Sequence, residues 1–191
     1  MSDAKIRTDI RALLPRVFRN ADEALLVEEM EICSGKARAD MAIISKQLIG
    51  VEIKGSKDTL RRLPNQIDQY SRCFDQVVLV VHESHANKAI QLVPNWWGIV
   101  VNSDEKNKMP YSIKRRPELN DNFELESFLM LLWKPELEVL CSKLLNWRPA
   151  QRNSKQNLRE RLISNAINSQ LKEAALGMLR IRKEWRSVRI K

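Results

Sequence analysis

The sequence predicts an α/β protein: a mixed central sheet flanked by helices, followed by a helical, basic C-terminal extension. Strand-like and helix-like hydrophobic patterns alternate over roughly the first hundred residues, which is typical of a sheet covered by helices. Beyond residue 123 only helical patterns remain, and the excess positive charge is concentrated near the C-terminus. We therefore expect a core at residues 1–122 and a helical extension at residues 123–191, basic from residue 148.

The core elements follow from hydrophobic spacing. Apolar residues recur at helical intervals over residues 3–14, which predicts an amphipathic helix. Residues 24–33 alternate as a strand does, and two further short strands flank Lys46-Gln47 as a hairpin. The remaining predicted elements are the hairpin strands at 38–45 and 48–54, a helix at 57–73, a β-branched strand at 76–82, a helix at 86–93, a strand at 98–102 and a candidate edge strand at 111–114.

The extension is predicted to consist of four helices. Leucine, alanine and methionine stripes on them indicate packing against one another and against the core, with the charged faces turned outward. The predicted ranges are 123–132, 135–146, 154–167 and 169–186.

The excess positive charge is concentrated in one part of the sequence. The 191 residues carry 33 Lys and Arg against 24 Asp and Glu, a formal net charge of +9. Residues 148–191 hold 12 of the bases and only 3 of the acids, so the first 147 residues are neutral overall. Such an asymmetry favours a polyanionic partner that meets the C-terminal quarter.

Several protein classes are disfavoured. The charged start lacks the apolar segment of a secretory signal, and no apolar run approaches the ~18 residues of a membrane span. Three widely spaced cysteines and two histidines fit neither a disulfide framework nor a zinc site. We expect a reduced, cytoplasmic protein with no membrane partner.

Three charged residues on the predicted hairpin suggest a site. Glu52 and Lys54 are two positions apart and share a face, and a hairpin would bring Asp40 beside them. Paired carboxylates suit a hard divalent cation, and a neighbouring lysine can orient water or neutralise a phosphate. The alternatives are a structural role for Asp40 in the hairpin and a surface ion pair of Glu52 with Lys54.

The spacing resembles the PD-(D/E)XK, or restriction-endonuclease-like, superfamily. Asp40, Glu52 and Lys54 carry the resemblance, and the sequence from Gln66 to Tyr70 matches the Gln-x-x-x-Tyr signature of several of its nucleases. More narrowly, residues 29–81 resemble a small family of little-characterised bacterial and phage proteins, with Met30 and Gly55 as mild departures. The resemblance implies a restriction-endonuclease-like core and a metal-dependent nuclease that hydrolyses the phosphodiester bonds of nucleic acid, most often DNA.

The resemblance also implies roles for individual residues. Asp40, Glu52 and the backbone carbonyl of Ile53 would hold Mg²⁺ or Mn²⁺, and Lys54 would position the attacking water. Glu29 would hold a metal-bound water or a second ion, with Glu28 and Glu31 as rivals. Gln66 would fix the nucleic-acid strand. Two-cut enzymes of this superfamily often dimerise, so a homodimer is among the expectations.

Nucleic-acid contacts are expected both near the site and in the basic extension, with DNA favoured over RNA. For Arg38 a phosphate contact and an acid pair are equally open, and Tyr70 could be a core residue instead. Two other functions stay open: a catalytically silent nucleic-acid-binding module of the same fold, and an adaptor whose basic helices bind an acidic protein. The candidate contact residues are Arg38, Tyr70, Arg152, Lys155, Arg159, Arg180, Lys183 and Arg186.

Overall fold

The computed structural model describes residues 3–17, 24–104, 110–183, 185 and 187–189. In this part of the chain seven strands form one sheet. The strands are β1 (Leu25–Ile32), β2 (Ala37–Ile44), β3 (Leu48–Lys54), β4 (Gln76–His82), β5 (Gly98–Asn102), β6 (Tyr111–Arg115) and β7 (Ser187–Arg189). The helices are α1 (Asp3–Val17), α2 (Leu63–Cys73), α3 (Glu83–Leu92), α4 (Leu125–Leu129), α5 (Lys134–Leu145), α6 (Lys155–Asn165) and α7 (Asn168–Ile181).

The sheet is mixed. Its spatial order is β6-β5-β4-β3-β2-β1-β7, with β3, β4 and β5 parallel at the centre and the other pairings antiparallel. Parallel strands need covered faces, and the continuous apolar run of β4 is buried on both sides. The prediction of an α/β protein with a mixed sheet flanked by helices is confirmed.

The two faces of the sheet have separate cores. On one face Ile6 and Ile10 of α1 pack over strand residues such as Val78 and Val80. On the other face the neighbouring strand residues pack against helices from α2 to α7, because side chains alternate along a strand. Helix α1 therefore lies on the opposite side of the sheet from the helical extension.

Helix α2 begins later than predicted. Residues 57–73 were expected to be helical, but the helix starts at Leu63 after a 3-10 turn at Leu60–Arg62. The Asp58 carboxylate accepts the backbone N–H of Gly55 at 2.7 Å and holds a turn there. Pro64 then lies in the first helical turn, where its missing N–H costs no hydrogen bond.

The end of the chain also differs from prediction. The helix expected at 169–186 stops at Ile181, and residues 187–189 return to the sheet as β7 beside β1. Buried Arg182 makes this turn: its guanidinium pairs with Glu136 and lies 4.4 Å from the Trp133 ring and 4.3 Å from the Trp185 ring. Helix α4 is likewise shorter than the predicted 123–132.

The helical extension shares its core with the sheet. Leu158, Leu171 and Leu179 belong to the same buried cluster as Leu79 of β4. Lys172 of α7 pairs with buried Asp75, whose other oxygen accepts the Leu48 N–H at 2.8 Å. The boundary at residue 122 stays a prediction about sequence organisation. Among the described helices, none is long and apolar enough to cross a membrane.

Candidate functional site

A cleft of about 750 Å³ opens where β2, β3 and the start of α2 meet. We call it the sheet-end cleft. Its lining includes five cationic and three acidic side chains, so it is net cationic although it contains the predicted acidic site. These charged residues are Lys36, Arg38, Lys54, Lys57, Arg62, Asp40, Glu52 and Asp58.

Asp40 lies where the β2–β3 ladder stops. Backbone pairing runs as far as Met41 opposite Val51, and beyond it Asp40 Oδ2 accepts the Ile53 N–H at 2.8 Å. The side chain thus takes over the acceptor role of the strand backbone. A buried N–H needs such a partner, which gives Asp40 a structural function in the hairpin.

Arg7 of α1 joins Asp40 to Glu29. One guanidinium nitrogen donates to the Asp40 carbonyl oxygen at 2.9 Å, and the other lies 2.6 Å from Glu29 Oε1 and 3.4 Å from Asp40 Oδ1. Glu29 also receives Arg38 Nε at 2.8 Å, so the acid pairing expected as one alternative for Arg38 is present. Of the rival acids, Glu28 pairs with Arg11 and Glu31 is exposed.

Glu52 is almost fully buried at 2% exposure, and three protein donors satisfy its carboxylate. Oε1 accepts from Lys54 Nζ and from Gln66 Nε2, each at 2.5 Å, and Oε2 accepts from the Tyr70 hydroxyl at 2.5 Å. The side chains expected to hold a metal, a water and a strand are therefore bonded to one another. Tyr70 is a core residue with no exposed surface, which is the alternative the sequence left open.

Burial and mutual charge shift two pKa values here. Burial, and then the neighbouring Glu52 carboxylate, raise the pKa of Asp40 to about 7, although the Ile53 N–H and Arg7 oppose the rise. Burial and the Glu52 charge also raise the pKa of Tyr70 well above its usual value, so the phenol stays protonated and donates to Glu52.

The arrangement leaves few free oxygen atoms for a divalent cation. No group of three His, Cys, Asp or Glu side chains in the described ranges is placed to hold a metal ion. Both Glu52 oxygens already accept hydrogen bonds, and Lys54 and Arg7 supply the positive charge that a metal would bring. Gln66 Oε1 is buried without a hydrogen-bond partner in the described structure, but one amide oxygen does not complete a site. Mg²⁺ or Mn²⁺ stays a prediction.

The predicted contacts in the extension have different environments. Arg152, Lys155, Arg180 and Lys183 are exposed, whereas Arg159 is half-buried. Arg186 lies outside the described residues. Lys172 and Arg182 carry part of the C-terminal charge but are used inside the fold, in ion pairs with Asp75 and Glu136.

Sequence reasoning missed Arg7. The apolar spacing of α1 predicted a helix on the sheet. Its first turns also place the Arg7 guanidinium between Glu29 and Asp40, and no sequence motif predicts that contact. A positive φ of 55° at Glu29 accompanies it, an uncommon backbone state for a residue other than glycine.

A family model described as Bacteriophage P4 protein cII matches residues 3–189. The chain belongs to this family. Protein cII of Enterobacteria phage P4 is 25% identical over 121 residues, which are 63% of this chain and 46% of that protein. The match therefore spans less than half the length of this curated relative. A solved protein of unknown function from Silicibacter pomeroyi matches with 12% identity and a TM-score of 0.38, over 66% of this chain and 84% of that one.

The family match corrects the sequence-based resemblance. The assignment to the PD-(D/E)XK superfamily is wrong, and so is the metal-dependent nuclease function derived from it, because the match is to protein cII and nothing assigns the chain to those nucleases. The expectation of a phage relative agrees with the match. Asp40, Glu52, Lys54 and Gln66 do come together, but they form an internally bonded network, which short motifs do not distinguish from a catalytic site.

Proposed function

We propose that this protein is a catalytically silent nucleic-acid-binding module. DNA is the partner we propose first, held by the sheet-end cleft and by exposed cations of the helical extension. The observation that carries the proposal is that the protein's own donors neutralise the acids on the cleft floor, while basic side chains remain at its rim. A phosphate entering the cleft therefore meets net positive charge.

The neutralisation of the floor follows from the contacts of its two carboxylates. Glu52 accepts from Lys54, Gln66 and Tyr70. Asp40 is bonded to the Ile53 N–H and lies beside Arg7. A carboxylate with this many donors has little remaining acceptor capacity, so it repels an incoming phosphate less than a bare carboxylate would.

The rim supplies the attraction. Lys36, Lys57 and Arg62 are exposed and line the cleft, and Asp58 among them is engaged with the Gly55 N–H. Contacts of lysine and arginine with phosphates release bound counterions, which gives affinity for nucleic acid without sequence selectivity. The position of these cations around one cleft favours a nucleic-acid backbone as the ligand.

A basic surface can also bind an acidic protein, which is the second candidate. The two are separated by salt dependence. Nucleic-acid binding through several phosphates falls steeply as salt rises, because counterion release scales with the number of contacts. Tight binding to an acidic polypeptide, with no measurable affinity for DNA or RNA, would favour the adaptor.

The proposal is tested by fluorescence anisotropy with labelled DNA and RNA at several salt concentrations. The double variant Lys57→Ala, Arg62→Ala should lose about tenfold in affinity, because two phosphate contacts are removed. Lys46→Ala is the matched control, an exposed lysine at the β2–β3 turn beyond the other end of β3; it should change affinity by less than about twofold.

Two results would overturn the proposal. One is the absence of DNA and RNA binding by the wild-type protein at low salt. The other is strand cleavage in Mg²⁺ or Mn²⁺ that disappears in Asp40→Ala, since a silent module cuts nothing. Equal loss of affinity in the cleft double variant and in Lys46→Ala would remove the sheet-end cleft from the binding surface.

A further inference from the structure

A second cleft of about 450 Å³ lies in the helical extension, between the end of α5 and α6. We call it the Trp147 cleft. Unlike the sheet-end cleft, it is lined by one aromatic ring, one arginine, one glutamate and several short polar side chains. The lining residues are Trp147, Asn153, Asn157, Glu160, Arg161, Ser164 and Asn165.

Arg161 lies against an aromatic ring in this cleft and is not paired with an acid in the described structure. Its guanidinium carbon lies 4.2 Å from the centroid of the Trp147 ring. Within the described residues it forms no ion pair, and Glu160 beside it accepts instead from Gln156 at 2.9 Å. The guanidinium donors of Arg161 are therefore available to a ligand, and the indole fixes the side chain in advance.

The surroundings of the cleft select the charge of that ligand. Residues 143–161 contain six lysines and arginines and a single acid, Glu160. Arg148, Arg152 and Lys155 are exposed and form no ion pair within the described ranges. A planar cation on an aromatic ring, beside asparagine amides and unpaired cations, matches an unpaired nucleobase with its flanking phosphates.

We propose that the Trp147 cleft is a base-binding subsite for single-stranded nucleic acid. A nucleobase stacks on the outer face of Arg161, whose inner face rests on Trp147. The asparagine and serine side chains hydrogen-bond the base edge, and Arg152 and Lys155 contact the adjoining phosphates. This inference rests on the proposed nucleic-acid-binding function and adds that part of the ligand is unpaired.

The test compares the affinities of the full-length protein for three labelled ligands at one salt concentration: a single strand, a duplex of the same length, and a single strand of abasic residues. The wild-type protein should bind the single strand more tightly than the abasic strand. Arg161→Lys keeps the charge but loses the planar stacking surface, so single-strand affinity should fall about fivefold or more while duplex affinity stays within about twofold.

Arg72→Lys is the matched control, because Arg72 is an exposed arginine of α2 that lines neither cleft and has no ring contact in the described structure. It should leave all three affinities within about twofold. Trp147→Leu, checked for folding by circular dichroism, should reproduce the selective loss of Arg161→Lys, and a folded Trp147→Leu that keeps full single-strand affinity would contradict the stack.

The inference falls if wild type binds the abasic strand as tightly as the single strand, or if Arg161→Lys and Arg72→Lys behave alike. These outcomes leave the proposed function standing, provided that duplex binding persists and remains sensitive to Lys57→Ala, Arg62→Ala. Failure of the wild-type protein to bind any of the three ligands would contradict both the proposed function and the base-binding subsite.

Discussion

The floor of the sheet-end cleft and the surroundings of the Trp147 cleft both contain cations, but these charges are held in opposite ways. On the floor of the sheet-end cleft, acids and bases are bonded to one another, and Lys54 is only 4% exposed. Around the Trp147 cleft, the cations project from helix surfaces, and Arg161 rests on a ring. The first arrangement stabilises the fold and the second leaves donors for a ligand. Substitutions in the two regions should therefore separate stability from binding.

The largest effect should come from breaking the buried ion pair of the sheet-end cleft. Lys54→Ala leaves the Glu52 carboxylate buried without its cation, which should lower the free energy of unfolding by about 3–5 kcal/mol. Urea unfolding followed by circular dichroism measures it. Lys46→Ala should change stability by no more than about 0.5 kcal/mol. If the two lysine variants are equally stable, the network around Glu52 contributes nothing to the fold.

Removing both charges should cost less than removing one. The double variant Glu52→Gln, Lys54→Met keeps similar volumes and leaves no buried charge, so we expect it to be more stable than Lys54→Ala. The same urea titration measures the difference. A double variant as unstable as Lys54→Ala would show that packing, and not the unpaired charge, accounts for the loss.

The next effect concerns pH. Asp40 has a pKa of about 7 in the folded protein, against 3.8 as its ordinary value. Between these values the folded state binds the proton and the unfolded state does not, so this group makes stability fall as pH rises from about 4 to 7. Asp40→Asn should remove this contribution of a few kcal/mol and be the more stable form above pH 7, in thermal unfolding at a series of pH values.

Asp68→Asn provides the control for that pH series. Asp68 is an exposed aspartate of α2 outside the cleft lining, so its substitution should leave the slope between pH 4 and 7 as in wild type. A wild-type slope that persists unchanged in Asp40→Asn would assign the proton uptake to a different group.

The smallest effect on stability and a clear effect on binding are expected at the helix surface. Arg152→Ala with Lys155→Ala should leave unfolding within about 0.5 kcal/mol, because both residues are exposed. The slope of log affinity for DNA against log salt should become shallower by about 2, since two phosphate contacts are lost. If the slope of log affinity against log salt is unchanged, Arg152 and Lys155 do not contact DNA, and DNA binding is confined to the sheet-end cleft.

The fold was largely readable from the sequence because its elements carry strong local signals. The β-branched run at 76–82 and the hairpin around Lys46 lie where the patterns predicted them. The return of the chain as β7 was not readable, because it depends on Arg182 reaching Glu136, 46 residues away. The late start of α2 depends on a local turn at Asp58 that the helical apolar pattern conceals.

The sequence predicted which residues form the site, but not what the site does. Asp40, Glu52 and Lys54 converge as their spacing predicted, and Gln66, which only the resemblance singled out, lines the same cleft. What the sequence could not show is that Tyr70 and Gln66 donate to Glu52 and that Arg7 enters from a helix on the opposite side of the hairpin. The net charge of the extension predicted its binding surface only in part, because Lys172 and Arg182 form ion pairs inside the fold.

We propose that the acids of the sheet-end cleft balance internal cations and do not bind a metal for a nucleic acid. The most direct measurement is the DNA affinity of Asp40→Asn at about pH 8 in EDTA and in Mg²⁺, beside wild type and Asp68→Asn. Asparagine keeps an oxygen for the Ile53 N–H and removes a negative charge. We expect Asp40→Asn to bind DNA about fivefold more tightly than wild type in EDTA, with a tightening of similar size in Mg²⁺. Binding that needs Mg²⁺ in wild type and is lost in Asp40→Asn would contradict it.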